Sequence, residues 1–158
     1  MDAVDLLLEC HERIRRHCRG LLALAELTDR SAAPARETAA RCARYFHEAL
    51  PLHAADEEES VFPRLAPDAH TEQLSAEHVE IEAAIPPVVA ALRAIADGEP
   101  PAAGFEAQPA AGFEAQARAF SALMLAHIAR EEEFLFPRAR ALPSEEIVRE
   151  IRARRVGP

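Results

Sequence analysis

Apolar residues recur at helical spacing through most of the chain. Leu7, Ile14, Leu21 and Leu24 share one side of an α-helix, which predicts a first helix from Ala3 to about Thr28. "DRSAAPA" breaks that pattern, and Pro34 suits the first turn of a second helix running to about Phe62. Pro51 falls inside this second helix and removes one backbone donor, so a kink or local bulge is expected just before His53. "RLAPDAH" reads as a turn with Asp68 as N-cap, leading to a third helix that ends near Ala96 at "DGEP". Pro86-Pro87 is expected to interrupt and bend it. A fourth helix spans about Phe113 to Arg140, and "LPSEE" opens a short last helix from Ser144 to about Arg155.

Four long helices on short connections predict an all-α fold, an up-down-up-down four-helix bundle with a short additional C-terminal helix over one end or side. The whole chain, 1–158, reads as a single domain. One stretch breaks the pattern. "PAAGFEAQ" at 101–108 is repeated letter for letter at 109–116, as expected of a small duplication tolerated in a surface loop.

Composition agrees with helix. Hydrophobic residues make up 49% of the chain and charged ones 28%, a balance that supports a packed core rather than disorder. A net charge of −9 argues against a nucleic-acid partner. The arginines of "IRARR" are better placed as cations in the last turn of a helix. No apolar run approaches the roughly 20 residues a membrane span needs, and no signal peptide is evident, so a cytoplasmic location is expected. Cys10, Cys18 and Cys42 are odd in number and form no CxxC pattern, which suits a reducing compartment.

Candidate chemistry comes from a second repeat. "HAADEEESVFPR" from His53 and "HIAREEEFLFPR" from His127 agree at eight of twelve positions. In each, the histidine and the glutamate four residues on (Glu57, Glu131) lie about 40° apart on one helix face. His11 in "CHERI" and His78 in "EHVEI" extend the pattern. His11 precedes His53 by 42 residues, and His78 precedes His127 by 49, or 41 with one octapeptide removed. Each half is then a helical hairpin with histidines at matching heights. Folded together, the halves bring one histidine from each of four helices to a common level, with two carboxylates beside them. Such groups are costly inside an apolar bundle unless something binds them. Four neutral imidazoles and two bridging carboxylates can hold two divalent metals. Two of each three consecutive glutamates are expected to face water.

The order His, His-x-x-x-Glu, His, His-x-x-x-Glu, with "FP" after each carboxylate cluster, resembles the hemerythrin-like (HHE cation-binding) family over nearly the whole chain. The resemblance implies a four-helix bundle with a non-haem di-iron centre, its two iron ions held by His11, His53, Glu57, His78, His127 and Glu131. Oxygen-carrying hemerythrins have a fifth histidine where this chain has Leu74, and place the last carboxylate where it has Glu132; Glu131 is preferred because it preserves the repeat. The chain is more similar to the four-histidine, two-glutamate subgroup. That implies binding, sensing or reducing O₂, NO or peroxide, with binding or sensing favoured over dedicated enzyme turnover. The alternatives are iron handling or donation in iron-sulfur cluster repair, and a metal-stabilised structural or interaction bundle. A separate protein partner or a homo-oligomer is left open.

The remaining candidates are weaker. His17 and His47 point about 120° from the ligand face and read as surface residues, with a second site as the alternative. His70 is an outside candidate for a fifth ligand. Tyr45 reads as half-buried, with a metal-reaching phenol as the alternative. Cys18 and Cys42 read as buried filler, with a redox link between them as the alternative.

Overall fold

The computed structural model describes residues 1–99 and 109–156. Helix α1 spans Ala3–Glu26. It starts on a capping box in which the Asp2 side chain accepts from the Asp5 N–H and Asp5 returns the bond. Its apolar stripe (Leu7, Ile14, Leu21, Leu24) is buried throughout. Full burial stabilises by about 1.5–3 kcal/mol per side chain of this size.

The second rod is built from pieces. It comprises α2 (Ala33–Arg44), a π-helical turn (Tyr45–Ala49), α3 (Leu50–Asp56), a second π turn (Glu57–Val61) and a 3-10 turn (Phe62–Arg64). The bulge expected before His53 is the first π turn. Helix α4 (Ala69–Asp97) starts on Asp68, which accepts from the Thr71 N–H as the N-cap. It ends at Gly98, where φ is 68° and the left-handed conformation lets Gly98 and Glu99 close back on Ile95 and Ala94. The interruption expected at Pro86-Pro87 is absent: the helix runs continuously through both prolines. Burial of Ile85, Val88, Val89 and Leu92 on the core side holds it together there.

The fourth rod is α5 (Pro109–Arg130), a π turn (Glu131–Leu135) and α6 (Phe136–Ala139). It starts earlier than the sequence pattern suggested. The second octapeptide copy, 109–116, is helix rather than loop, because proline is tolerated where the first turn has no backbone bond to lose. The first copy lies outside the described residues. Helix α7 (Ser144–Val156) follows.

Each rod packs on the rods before and after it, and α1 closes the ring against α5, which gives the up-down-up-down bundle. The core falls into two apolar layers. One joins Ile14, Leu21, Phe46, Leu50, Ile81 and Met124. The other joins Leu7, Val61, Leu74 and Leu135, and α7 covers it with Ile147 and Ile151. Every rod crosses from one layer to the other at a histidine. No helix among the described residues is long and apolar enough to cross a membrane.

Candidate metal centre

Between the two apolar layers lies a plane of buried polar groups. His11 comes from α1, His53 from α3, His78 from α4 and His127 from α5, with Glu57 and Glu131 opening the π turns. None is more than 8% exposed. All six side chains singled out from the repeat therefore meet. They form two overlapping sets, His11/His53/Glu57/Glu131 and Glu57/His78/His127/Glu131, with candidate ligand atoms within 4.8 Å of one another in each.

The carboxylates divide their oxygens between the sets. Glu131 Oε2 lies 3.0 Å from His11 Nε2 and 4.0 Å from His53 Nε2, while Oε1 lies 2.6 Å from His127 Nε2 and 3.4 Å from His78 Nε2. Glu57 Oε1 is 3.5 Å from His53 Nε2, and its Oε2 is 3.2 Å from His78 Nε2. Each carboxylate thus presents one oxygen to each pair of histidines, the geometry of a bridge. None of these eight inward atoms has a well-formed hydrogen bond. They converge on common points rather than pairing with one another, which fits a two-cation site and fits no ordinary polar core.

The ionisation of these groups shows the same crowding. Burial and the facing Glu131 carboxylate push Glu57 well above the usual range. Burial opposes ionisation of Glu131 too, yet His11, His127 and His78 outweigh it and hold this carboxyl well below its ordinary value. Burial drives His53 down to about 3. It also acts against His78, but Glu131 and Glu57 raise that ring to about 11.

Behind the plane, the repeat is used again. His11 Nδ1 meets Glu132 Oε1 at 2.8 Å, and His78 Nδ1 meets Glu58 Oε1 at 2.7 Å. Phe136 stacks on His11 with centroids 4.9 Å apart, and Phe62 stacks on His78 at 5.9 Å. Each "EEE…FP" stretch therefore supplies one inward glutamate, then a second glutamate and a phenylalanine for the lone histidine of the other half. The expectation that two of three glutamates face water is corrected on this point. Only Glu59 and Glu133 are exposed, because the second of each run is half-buried against an imidazole. His127 Nδ1 is held by Glu77 Oε2 at 2.7 Å. Glu58 and Glu77 do not stand out in the repeat; the one signal they carry is their place next to Glu57 and His78 in the chain.

The other candidates lie elsewhere. His70 is exposed and stacks on Phe134 at 4.0 Å, so it stands on the surface rather than at the cluster. His17 stacks on a half-buried Tyr45 at 3.8 Å, and its Nδ1 bonds the Arg13 carbonyl. His47 is exposed. Neither His17 nor His47 joins a metal-binding group among the described residues. Leu74, at the fifth-histidine position, is buried in the apolar layer. All three cysteines are free and buried. Burial raises Cys18 to about 12 and Cys42 to about 11, which keeps both thiols protonated and unreactive.

One side of the plane is open. A cleft of about 530 Å³ between α3 and α4 is walled by Leu50, Ile85 and Met124 and reaches His53, His78 and His127. His11 lies away from it.

Comparison with protein families matches residues 2–139 to the hemerythrin HHE cation binding domain. Nothing matches among curated proteins or among solved structures. The matched span takes in all four rods and every residue of the buried plane. With two overlapping His/Glu sites inside a four-helix bundle, this chain belongs to the hemerythrin HHE cation-binding family.

Proposed function

We propose that the centre holds two iron ions and that the protein binds or senses a small ligand, O₂, NO or peroxide, in a reducing cytoplasm. His11 and His53 would hold one ion, His78 and His127 the other, with Glu57 and Glu131 bridging. Two imidazoles and shared carboxylate oxygens are a donor set suited to non-haem iron. Ferrous ions in this setting supply electrons and open coordination positions to a diatomic or peroxide ligand. Three free cysteines support the reducing location.

The observation that carries the reading is the cleft, which reaches histidines of both sets. Its apolar walls favour uncharged guests. Glu58, which lines it, is already engaged by His78 and by the Ser75 hydroxyl at 2.8 Å. With that carboxylate occupied, binding or sensing is favoured over turnover. Loading the protein with Fe(II) anaerobically and adding O₂, NO or H₂O₂ in turn should give new visible bands with at least one of them. A spectrum indifferent to all three, with loading that raises only the melting temperature, would leave the structural-bundle reading instead.

Iron donation is the second reading. What favours it is an inequality between the two histidine pairs.

A further inference from the structure

The two halves of the chain superimpose as sequence: 67 positions separate His11 from His78, and 74 separate His53 from His127. The contacts obey that correspondence. Glu132 on His11 matches Glu58 on His78, and Phe136 on His11 matches Phe62 on His78. It fails behind His53 and His127. Glu77 holds His127 Nδ1, and the residue corresponding to Glu77 is Cys10. His53 is 4% exposed, and its Nδ1 has no acceptor among the described residues. The Cys10 thiol instead receives Arg155 Nη2 at 3.4 Å.

The charges behind the two pairs are exchanged as well. In the second half Glu77 is clamped by Arg130 at 2.6 Å. The residue corresponding to Arg130 is Asp56, which turns away to Arg154 and Arg155 of α7 at 2.9 and 2.6 Å. Among the described residues, no carboxylate is left for His53 Nδ1.

A histidine that binds a cation through Nε2 is oriented, and made a better donor, by an acceptor on its Nδ1–H. Loss of such a partner weakens metal binding by about 10–100-fold. We infer that the two ion positions differ in affinity and that Cys10 sets the difference. The ion between His11 and His53 exchanges readily, and the ion between His78 and His127 is retained. This rests on reading the six buried side chains as ligands. It gives the centre one transferable divalent transition-metal ion and one fixed ion.

The test is to load the full chain anaerobically with two Fe(II) and challenge it with ferrozine, following release by absorbance and retained metal by elemental analysis. Release should occur in two phases of equal amplitude, with rates about 10–100-fold apart. Cys10→Glu should merge them into one slow phase. Glu77→Cys should merge them into one fast phase, and it decides the matter should Cys10→Glu fail to fold by circular dichroism. Cys10→Ser should leave both phases in place. Single-phase release from the wild type would overturn the inference, as would a surviving fast phase in folded Cys10→Glu. Loss of an ion in Cys10→Ser would make the thiol a ligand and overturn it too. Failure to load either ion would instead defeat the assignment of the six ligands, and two-phase release from a protein indifferent to O₂, NO and peroxide would defeat only the ligand-sensing reading.

Discussion

At the scale of single residues, the centre is a set of donors whose inner atoms converge, and three of the four rings, those of His11, His78 and His127, are fixed from behind by a carboxylate. His127 shows this most fully: Nε2 lies 2.6 Å from Glu131, and Nδ1 lies 2.7 Å from Glu77, which Arg130 holds in turn. Truncating that ring removes the donor and the contact that each of Glu77 and Glu131 makes with it. His127→Ala should therefore lower the loaded iron from two ions to one or none, and His53→Ala should do the same, as elemental analysis of the purified variants would show. Two ions retained in either variant would remove that histidine from the ligand set. The inner six were legible because a helix places residues four apart on one face, and because the pattern occurs twice. The residues behind them were not. A run of three glutamates ordinarily faces water, and nothing local distinguishes Glu58 or Glu132, which bend inward, from Glu59 and Glu133, which do not. Only the tertiary approach of the opposite histidine separates them.

At the scale of elements, the π turns all have the same cause. Leu50, Phe62 and Phe136 donate their N–H groups to Tyr45, Glu57 and Glu131, five residues back, and each is followed by a proline. A proline has no N–H for the carbonyl four residues before it, and its ring clashes with that carbonyl, so the helix widens by one residue just upstream. Two of these widened turns begin at Glu57 and Glu131. Pro51 gave the first bulge away in the sequence. Pro63 and Pro137 carried the same signal, but as part of the "FP" that follows each carboxylate run they read only as a family mark. Pro137→Ala would supply the missing N–H and favour ordinary α-helix, turning Glu132 from His11. Iron affinity should then fall by on the order of tenfold, measured by chelator competition, with the far-ultraviolet circular dichroism almost unchanged. Unaltered affinity would show that packing of Phe136, not the proline, maintains the turn.

At the scale of the molecule, two hairpins share one buried plane, and a fifth helix fastens the first of them. The bundle was legible from the duplicated histidine pattern. The seat of α7 was not, since Ile147 and Ile151 specify an apolar face without saying which layer it covers. Its polar side settles the place. Asp56, one residue before Glu57, is fully buried and would be an isolated charge but for Arg154 and Arg155, and Arg154 also reaches Glu59 and the Ser60 hydroxyl. Burial pushes the Asp56 carboxyl above its ordinary value even against both guanidinium groups, so the site is sensitive to their loss. Replacing both arginines with alanine leaves that carboxylate uncompensated, at a cost on the order of 3 kcal/mol. For a chain of this length that lowers the melting temperature by roughly 10 °C. Adding Asp56→Asn removes the stranded charge, and the triple variant should regain most of the loss. If Asp56→Asn in that background restores nothing, α7 is held by Ile147 and Ile151 alone, and the arginines are surface cations with no part in seating the helix.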